Sequence, residues 1–370
     1  MLSILYCSLL SVTVNALQGL MITIKGIARQ AGVSIGTVDR VLHNRGRVST
    51  ETTRKVRHII KKSGYITNVF ARHLSLAKQF VFGVIMPKLN QDSSYWELLA
   101  KGIDRATQEL SSSRIRTMYF LYDKYSRESF FIQTCALSKT PVDGVIIAAG
   151  FTNLAKEFIT GFQSSVASPV PCICLDSSIP GVSALSSIYQ DSFQSGVVAA
   201  KLMTMSLKEA GNVAVIRVFP ESYHINERAR GFESFVRRFP SLKLRMYDMS
   251  DNRKTTFETL VGRILEENPH LLGIFVTNAN THYVAEYLKN RVTLRKVMLI
   301  GYDLVEKNRS YLEQDIIDYI ISQQPEIQGY TGIYSLYRHI ILKQPCKKNV
   351  LMPIDIITKE NCAYYHPDEE

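Results

Sequence analysis

Three polar residues of this chain each fall directly behind an apolar run: Asp176 after PCICL, Asn278 after LLGIFVT and Asp303 after KVMLIGY. Carboxylates and carboxamides placed there could bind a ligand rich in hydroxyl groups, because each hydroxyl both donates and accepts. In open parallel α/β sheets, ligands bind outside the carboxyl ends of the strands, where these side chains would lie. Taken singly each also has a plain explanation, Asp303 as a helix cap for example. Enzyme signatures are missing: there is no GxGxxG after a strand, no P-loop, no HExxH and no GxSxG elbow. An SxxK string from Ser75 to Lys78 stands in a linker-like stretch and reads as chance. The six cysteines, at 7, 135, 172, 174, 346 and 362, show neither CxxC pairing nor metal-ligand spacing. Cys172 and Cys174 alternate on a strand and read as reduced packing residues. No enzymatic activity, metal or cofactor is expected.

A second chemistry is concentrated near the start. Residues 21 to 80 hold twelve Lys or Arg against Asp39 and Glu51, which accounts for +10 of the chain's formal +11. A solvated surface mixes signs, whereas one-signed charge on a short segment is the footprint of phosphate binding. The elements that would carry it are short helices. Ile24, Ile27 and Ala28 share one face of a helix running to Ala31, Gly32-Val33 supplies a turn, and Ser34 is placed to cap a helix to about Leu42. Ser49 or Thr50 then caps a third helix with Val56, Ile59 and Ile60 facing inward, and Gly64 can end it. Helix, glycine-containing turn and helix is the layout that sets a recognition helix in the DNA major groove.

From Phe80 onward, strand-like runs (FVFGVIMP, MYFLYD, VDGVIIAAG, PCICLD, GNVAVIRVF, LLGIFVTN, KVMLIGYD) are interspersed with amphipathic helices such as WELLAKGIDRATQEL. That alternation predicts an α/β body with parallel sheets. Three crossings between two lobes are expected, near Ser187–Asp191, Gln323–Pro325 and Asn349–Met352. A helix over 325–342 and one late strand in VLMPIDIITKE follow, and HPDEE reads as a solvated tail.

The strings IKGIARQAGVSIGTVDRVLHN, RVSTETTRKV and GYITNVFARHL, in that order, resemble the DNA-binding headpiece of the lactose-repressor (LacI) family. The resemblance assigns base contacts to Ile35, Gly36 and Arg40, with Ser34 and Thr37 on phosphates. Gly36 offers no side chain for reading a base, and Asp39, standing where the family more often has Ser, could accept from a cytosine amine or pair with His43 one turn on, the pairing being the preferred reading. The resemblance also implies a hinge helix that orders on operator DNA, with Asn68 and Ala71 at its motif positions and Leu74 wedged into the minor groove. Thr67 departs from the family's usual proline, which makes the linker less rigid.

The body resembles the ribose-type sugar-binding fold shared by periplasmic binding proteins and this family. NQDSSYWELLAKG matches the first-strand loop, which implies aromatic stacking by Tyr95 and Trp96 and a polar contact at Ser93, beside Asp92. LDSS implies a sugar-binding Asp176, although Ser177 replaces the arginine that often follows. NERARGF gives Arg228, FVTN gives Asn278, IGYD gives Asp303 and ISQQP gives Gln323. These carboxylates favour a neutral polyhydroxylated ligand, while Arg228 leaves an acidic or phosphorylated sugar open.

The expected architecture is an all-α helix-turn-helix headpiece (21–67), a hinge (68–79) and a two-lobed sugar-binding and dimerisation body (80–370). The first twenty residues are apolar and uncharged, like a signal peptide, but lack its positive n-region. Met21 is read as the true start, with 1–20 a start-site artefact or disordered extension. No apolar run reaches the roughly 18 residues that span a membrane. The expectation is a cytoplasmic homodimeric regulator, acting as a repressor on palindromic double-stranded operator DNA and answering to a sugar or polyol. The competing expectation is a secreted sugar-binding protein of a transport system.

Overall fold

The computed structural model describes residues 24–42, 46, 48–63, 78–165, 169–291 and 296–365. The chain divides into two compact units, one ending at Ser75 and the other beginning at Leu76.

The first unit contains helices α1 (Ile24–Ala31), α2 (Ile35–Leu42) and α3 (Thr50–Ser63). Ser34 Oγ accepts the Thr37 amide at 3.1 Å, and Ser49 Oγ accepts the Thr52 amide at 3.2 Å. Ser49 rather than Thr50 is therefore the second cap, and each hydroxyl answers one of the amides a helix start leaves open. Gly32 turns the chain between α1 and α2 at φ +70°, a conformation that costs glycine little. Ile27, Ala28, Ala31, Val38, Val41 and Val56 form the core, flanked by Ile24, Leu42, Ile59 and Ile60. The expected end at Gly64 lies outside the described residues.

The second unit is two α/β lobes. Lobe 1 is built from β1 (Phe80–Pro87), α4 (Tyr95–Glu109), β2 (Ile115–Tyr122), α5 (Arg127–Ser138), β3 (Gly144–Ala148), α6 (Thr152–Ser165), β4 (Cys172–Asp176) and β5 (Ser186–Gln190). Lobe 2 continues with α7 (Ser192–Ser206), β6 (Gly211–Val218), α8 (Tyr223–Val236), β7 (Leu242–Met249), α9 (Lys254–Glu267), β8 (Leu271–Val276), α10 (Thr281–Lys289), β9 (Met298–Tyr302), α11 (Glu306–Glu313) and β10 (Tyr319–Ser322). The chain returns to lobe 1 for α12 (Pro325–Ile340) and β11 (Asn349–Met352), then crosses again for β12 (Asp355–Ile357). The sheets run β11-β5-β4-β3-β1-β2 and β12-β10-β9-β8-β6-β7. Every pair is parallel except β10 with β12.

Two expectations are corrected here. VLMPIDIITKE is not one late strand: Pro353, which has no amide to give a ladder, separates β11 in one sheet from β12 in the other. The third crossing accordingly falls at 353–354, after Met352 rather than within 349–352. Strands β5, β7 and β10 also exist without having been anticipated. β7 is an edge strand with alternating exposure, and its charged residues hid it in a search for apolar runs.

Each lobe holds one close helix pair. A Cβ at Gly196 in α7 would overlap the carbonyl of Arg228 in α8, and one at Gly102 in α4 would overlap the carbonyl of Glu326 in α12. The first contact sets the backbone of Arg228 at the cleft. Gln190 ties the crossings together, because its buried amide donates to the carbonyls of Ser322 at 2.9 Å and Pro353 at 2.8 Å.

Candidate functional site

Of the expected ligand residues, Asp176, Asn278, Asp303 and Gln323 lie at the carboxyl ends of strands, whereas Ser93 lies in the turn after β1, Tyr95 and Trp96 open α4 and Arg228 lies in α8. In lobe 1 the turn after β1 has Asp92, Ser93 and Ser94 in left-handed backbone, at φ +48°, +59° and +66°. Such non-glycine residues cost about 1–3 kcal/mol each and persist where the surroundings over-determine them. Asp176 and Asp303 share that geometry, at φ +68° and +60°.

Lobe 1 presents groups that are already partnered. The Tyr95 hydroxyl donates to Asp176 Oδ1 at 2.6 Å, and the Trp96 indole donates to Asp92 Oδ2 at 3.0 Å. The same Asp92 accepts from Tyr125 at 2.8 Å and pairs with Lys124 Nζ at 2.5 Å, both ions being about 3% exposed. Gln328 Oε1 accepts the Asp176 amide, and its Nε2 donates to the carbonyl of Gln323, each at 2.9 Å. The two aromatics expected to stack on a sugar are thus anchored by their polar atoms to the acids behind them.

Lobe 2 differs. Arg228 donates to the carbonyl of Thr277 at 2.9 Å and to Gln323 Oε1 at 3.1 Å, and its guanidinium lies 3.7 Å over the Tyr302 ring. Gln323 Nε2 reaches Asp303 Oδ2 at 3.4 Å. Asn308 holds the two loops together: it donates to the carbonyls of Ala279, Tyr302 and Asp303 and accepts from the His282 amide. Among the described residues, eight buried side-chain polar atoms lack a partner, and six of them are His224 Nδ1, Arg228 Nε, Asn278 Nδ2, Asn280 Nδ2, His282 Nε2 and Asp303 Oδ1. All six belong to lobe 2. Buried polar groups are normally hydrogen-bonded, so their concentration in lobe 2 marks it as the side where a polar ligand would complete them.

Contacts between the lobes surround this cleft. Ser93 Oγ donates to Asn280 Oδ1 at 2.6 Å, Ser222 Oγ donates to the carbonyl of Gly150 at 3.0 Å, and Arg127 pairs with Glu221 at 2.6 Å. Phe219, at φ +60°, enters from lobe 2 and meets Tyr125 and Phe151 of lobe 1 edge-on, each 5.4 Å between ring centres.

The enclosure sets the charges. Burial pushes Asp303 up to about 7, opposed by Arg228 and reinforced by Asp176. Asp176 is also raised by burial, although the Tyr95 hydrogen bond and Arg228 pull it down. Burial opposes ionisation of Asp92 too, yet Lys124, Tyr125 and Trp96 hold it below the ordinary value. Burial first, then Arg228 and Lys124, keep His224 neutral, so its 3.7 Å approach to Asp176 is not an ion pair.

Sequence reasoning placed Ser93, Tyr95, Trp96, Asp176, Arg228, Asn278, Asp303 and Gln323 in this network. It did not single out Lys124, His224, Asn280, His282, Asn308 or Gln328, which come from loop ends and helices with no motif of their own.

In the headpiece, Ser34, Ile35, Gly36 and Arg40 are exposed on α2, Ile35 to 50%, and Thr37 is half-buried. Arg40 Nε donates to the carbonyl of Gly36 at 3.2 Å. A Cβ at Gly36 would meet only Ser34 Oγ and Arg40 Nη2, at 3.8 and 3.9 Å. The hinge positions Asn68, Ala71 and Leu74, and the Asp39 partner His43, lie outside the described residues.

Comparison with known proteins agrees with both halves. The family model "Bacterial regulatory proteins, lacI family" matches residues 23–68, and "Periplasmic binding protein domain" matches 82–344. The chain is 27% identical over 179 residues to the HTH-type transcriptional regulator DegA of Bacillus subtilis, covering 48% of this chain and 50% of DegA. It is 37% identical over 147 residues to catabolite control protein A of Staphylococcus aureus, covering 39% and 42%. These alignments span half or less of those relatives. A longer one, 25% identical over 298 residues, covers 78% of this chain and 83% of the ribose operon repressor of Lactococcus lactis. Among solved structures, a Bacteroides fragilis protein assigned as a LacI transcriptional regulator superposes with a TM-score of 0.71 at 28% identity, covering 78% of this chain and all of that one. An ABC-transporter solute-binding protein of Burkholderia graminis, solved with D-arabinose, gives 0.70 at 20% identity, covering 77% and 97%, a likeness of fold alone. The periplasmic binding protein model spans most of the chain, so this chain belongs to the periplasmic binding protein domain family, with a lacI-family DNA-binding segment at residues 23–68 ahead of it.

Proposed function

We propose that the protein is a sequence-specific transcriptional repressor whose DNA affinity is set by a sugar or polyol held between the two lobes. The observation that carries the sensor half is the set of six unpartnered buried atoms that lobe 2 holds. They mix donors and acceptors, the requirement of a hydroxyl-rich ligand. The exposed face of α2 supports the DNA half, with Arg40 bidentate to a guanine, Ile35 against a thymine methyl, and Ser34 and Thr37 on phosphates. Asn68, Ala71 and Leu74 would form the hinge contact to the minor groove. The domain plan is the headpiece at 21–67, the hinge at 68–79 and the sensor and dimerisation body at 80–370. A homodimer on a two-fold-symmetric operator follows from pairing two such headpieces. The headpiece favours this reading over a secreted transport receptor. No helix among the described residues is long and apolar enough to cross a membrane.

The test is operator binding by fluorescence anisotropy, with and without a panel of pentoses, hexoses and polyols. One panel member should change operator affinity, and Asp176→Ala should abolish that response while leaving DNA binding intact. Arg40→Ala should lose about 1–3 kcal/mol on operator alone, whereas Lys61→Ala should weaken operator and random DNA alike. Equal losses from Arg40→Ala on both DNAs would remove its base-reading role.

A further inference from the structure

The charge balance of the cleft narrows the ligand class, and the inference rests on the sugar-site reading above. Among the described residues Asp92, Asp176 and Asp303 are the only buried carboxylates, and Lys124 and Arg228 are the only buried Lys or Arg side chains. All five line this one cleft. Lys124 and Asp92 neutralise each other in a direct pair. Arg228 is left as the single cation for two carboxylates. His224 and His282 supply no charge, since burial keeps the first neutral and lowers the second to about 4. Ser177, directly after Asp176, adds none either, and its hydroxyl donates to the carbonyl of Ser178 at 3.1 Å. One negative charge is uncompensated. A buried charge without a partner costs several kcal/mol and is neutralised by a counter-ion or a proton.

We infer that the effector is an amine-bearing polyol, an amino sugar or amino alditol, whose ammonium group lies against Asp303 and Asp176 while its hydroxyls meet the remaining lobe 2 groups. Asp303 Oδ1 has no partner, and Asp176 Oδ2 lies 3.7 Å from Nδ1 of the neutral His224. These two carboxylate oxygens are acceptors suited to the N–H donors of an ammonium. Arg228 Nε, Asn278 Nδ2 and Asn280 Nδ2 are unpartnered donors that suit hydroxyl oxygens. An acidic or phosphorylated sugar would add a second uncompensated negative charge.

A neutral sugar has one other route, which is to bind with a proton on Asp303. The charged groups acting on Asp303 are Arg228, Asp176 and Asp92, with the neutral phenols of Tyr95 and Tyr302 beside them, and burial with this balance puts its carboxyl at about 7. Affinity for a neutral ligand would therefore fall about tenfold for each pH unit above that point. A protonated amine needs no such proton.

The experiment is calorimetric titration of the full-length protein at pH 7 with matched pairs: D-glucosamine and D-glucose, D-galactosamine and D-galactose, and 1-amino-1-deoxy-D-glucitol and D-glucitol. In at least one pair the amine should bind about tenfold or more tighter than its hydroxyl partner. Asp303→Asn should erase the difference between amine and hydroxyl partners, whatever it does to the affinity the two share. Neutral members binding as tightly as the amines would overturn the inference and leave the sugar site standing. No binding by any member of any pair would overturn the sugar-site reading and this inference with it.

Discussion

The two walls of the cleft are built on opposite plans. Lobe 1 contributes Asp92, Tyr95, Trp96, Lys124 and Asp176, each hydrogen-bonded or ion-paired within the protein. Lobe 2 contributes His224, Arg228, Asn278, Asn280, His282 and Asp303, each with a buried atom left without a partner. A wall whose polar groups are already paired is rigid, and it offers shape and field. A wall with open donors and acceptors gains from a ligand what it otherwise lacks. Lobe 1 is thus the preformed floor and lobe 2 the reader of the ligand's polar groups.

The comparison is broken most severely at the ion pair. Lys124→Met leaves Asp92 buried and uncompensated, and should cost about 3–5 kcal/mol in denaturant unfolding. A loss below about 1 kcal/mol would mean that lobe 1 is not held by this pair.

Asp303→Asn has the opposite sign. The folded-state carboxyl is raised from 3.8 to about 7, so the folded protein binds more protons than the unfolded chain between those values. Wild-type stability from this group therefore falls as pH rises across that window. The advantage of Asn over Asp should grow from pH 4 to 7, to a few kcal/mol at about 1.4 kcal/mol per unit, and level off above. An advantage that does not change with pH would remove the buried charge from the account.

Asn278→Ala and Asn280→Ala sharpen the contrast. Each should lose roughly tenfold in effector affinity, with a stability cost of about 1 kcal/mol for the one hydrogen bond each Oδ1 accepts, from the Asn280 amide or from Ser93, while the Nδ2 atoms bond nothing in the protein. Tyr95→Phe in lobe 1 should do the reverse, costing about 1–3 kcal/mol of stability by stripping Asp176 of its donor. The smallest effect belongs to Phe219→Leu. Losing two edge-on ring contacts should weaken lobe closure by about 1 kcal/mol, seen as faster effector release in stopped flow with unchanged headpiece binding to DNA.

How much of this was legible in the sequence follows the same division between local and assembled structure. Ser34 and Ser49 as caps, Gly32 as the turn, and the apolar spacing of Ile27, Val38 and Val56 are local facts, and the headpiece could be read helix by helix. Asp176, Asn278 and Asp303 were visible because a polar residue ending an apolar strand stands out. Lys124 and His224 were not. Each is one charged or polar residue among several in its segment, and only the packing of β2 beside β1, or of α8 across the cleft from β4, gives it a role. The same holds for Gln190 and Gln328, whose amides matter because distant crossings converge on them. Pro353 was misread for a simpler reason: flanking apolar residues outweighed the missing amide.

The most direct test of the division between the walls is calorimetric titration of the wild type and of the Asn278→Ala, Asn280→Ala double variant with the sugar and amino-sugar panel. The wild type should show saturable binding of one class, and the double variant should lose it by roughly a hundredfold while unfolding within about 2 kcal/mol of wild type. A double variant that binds as tightly as the wild type would show that lobe 2 does not read the ligand.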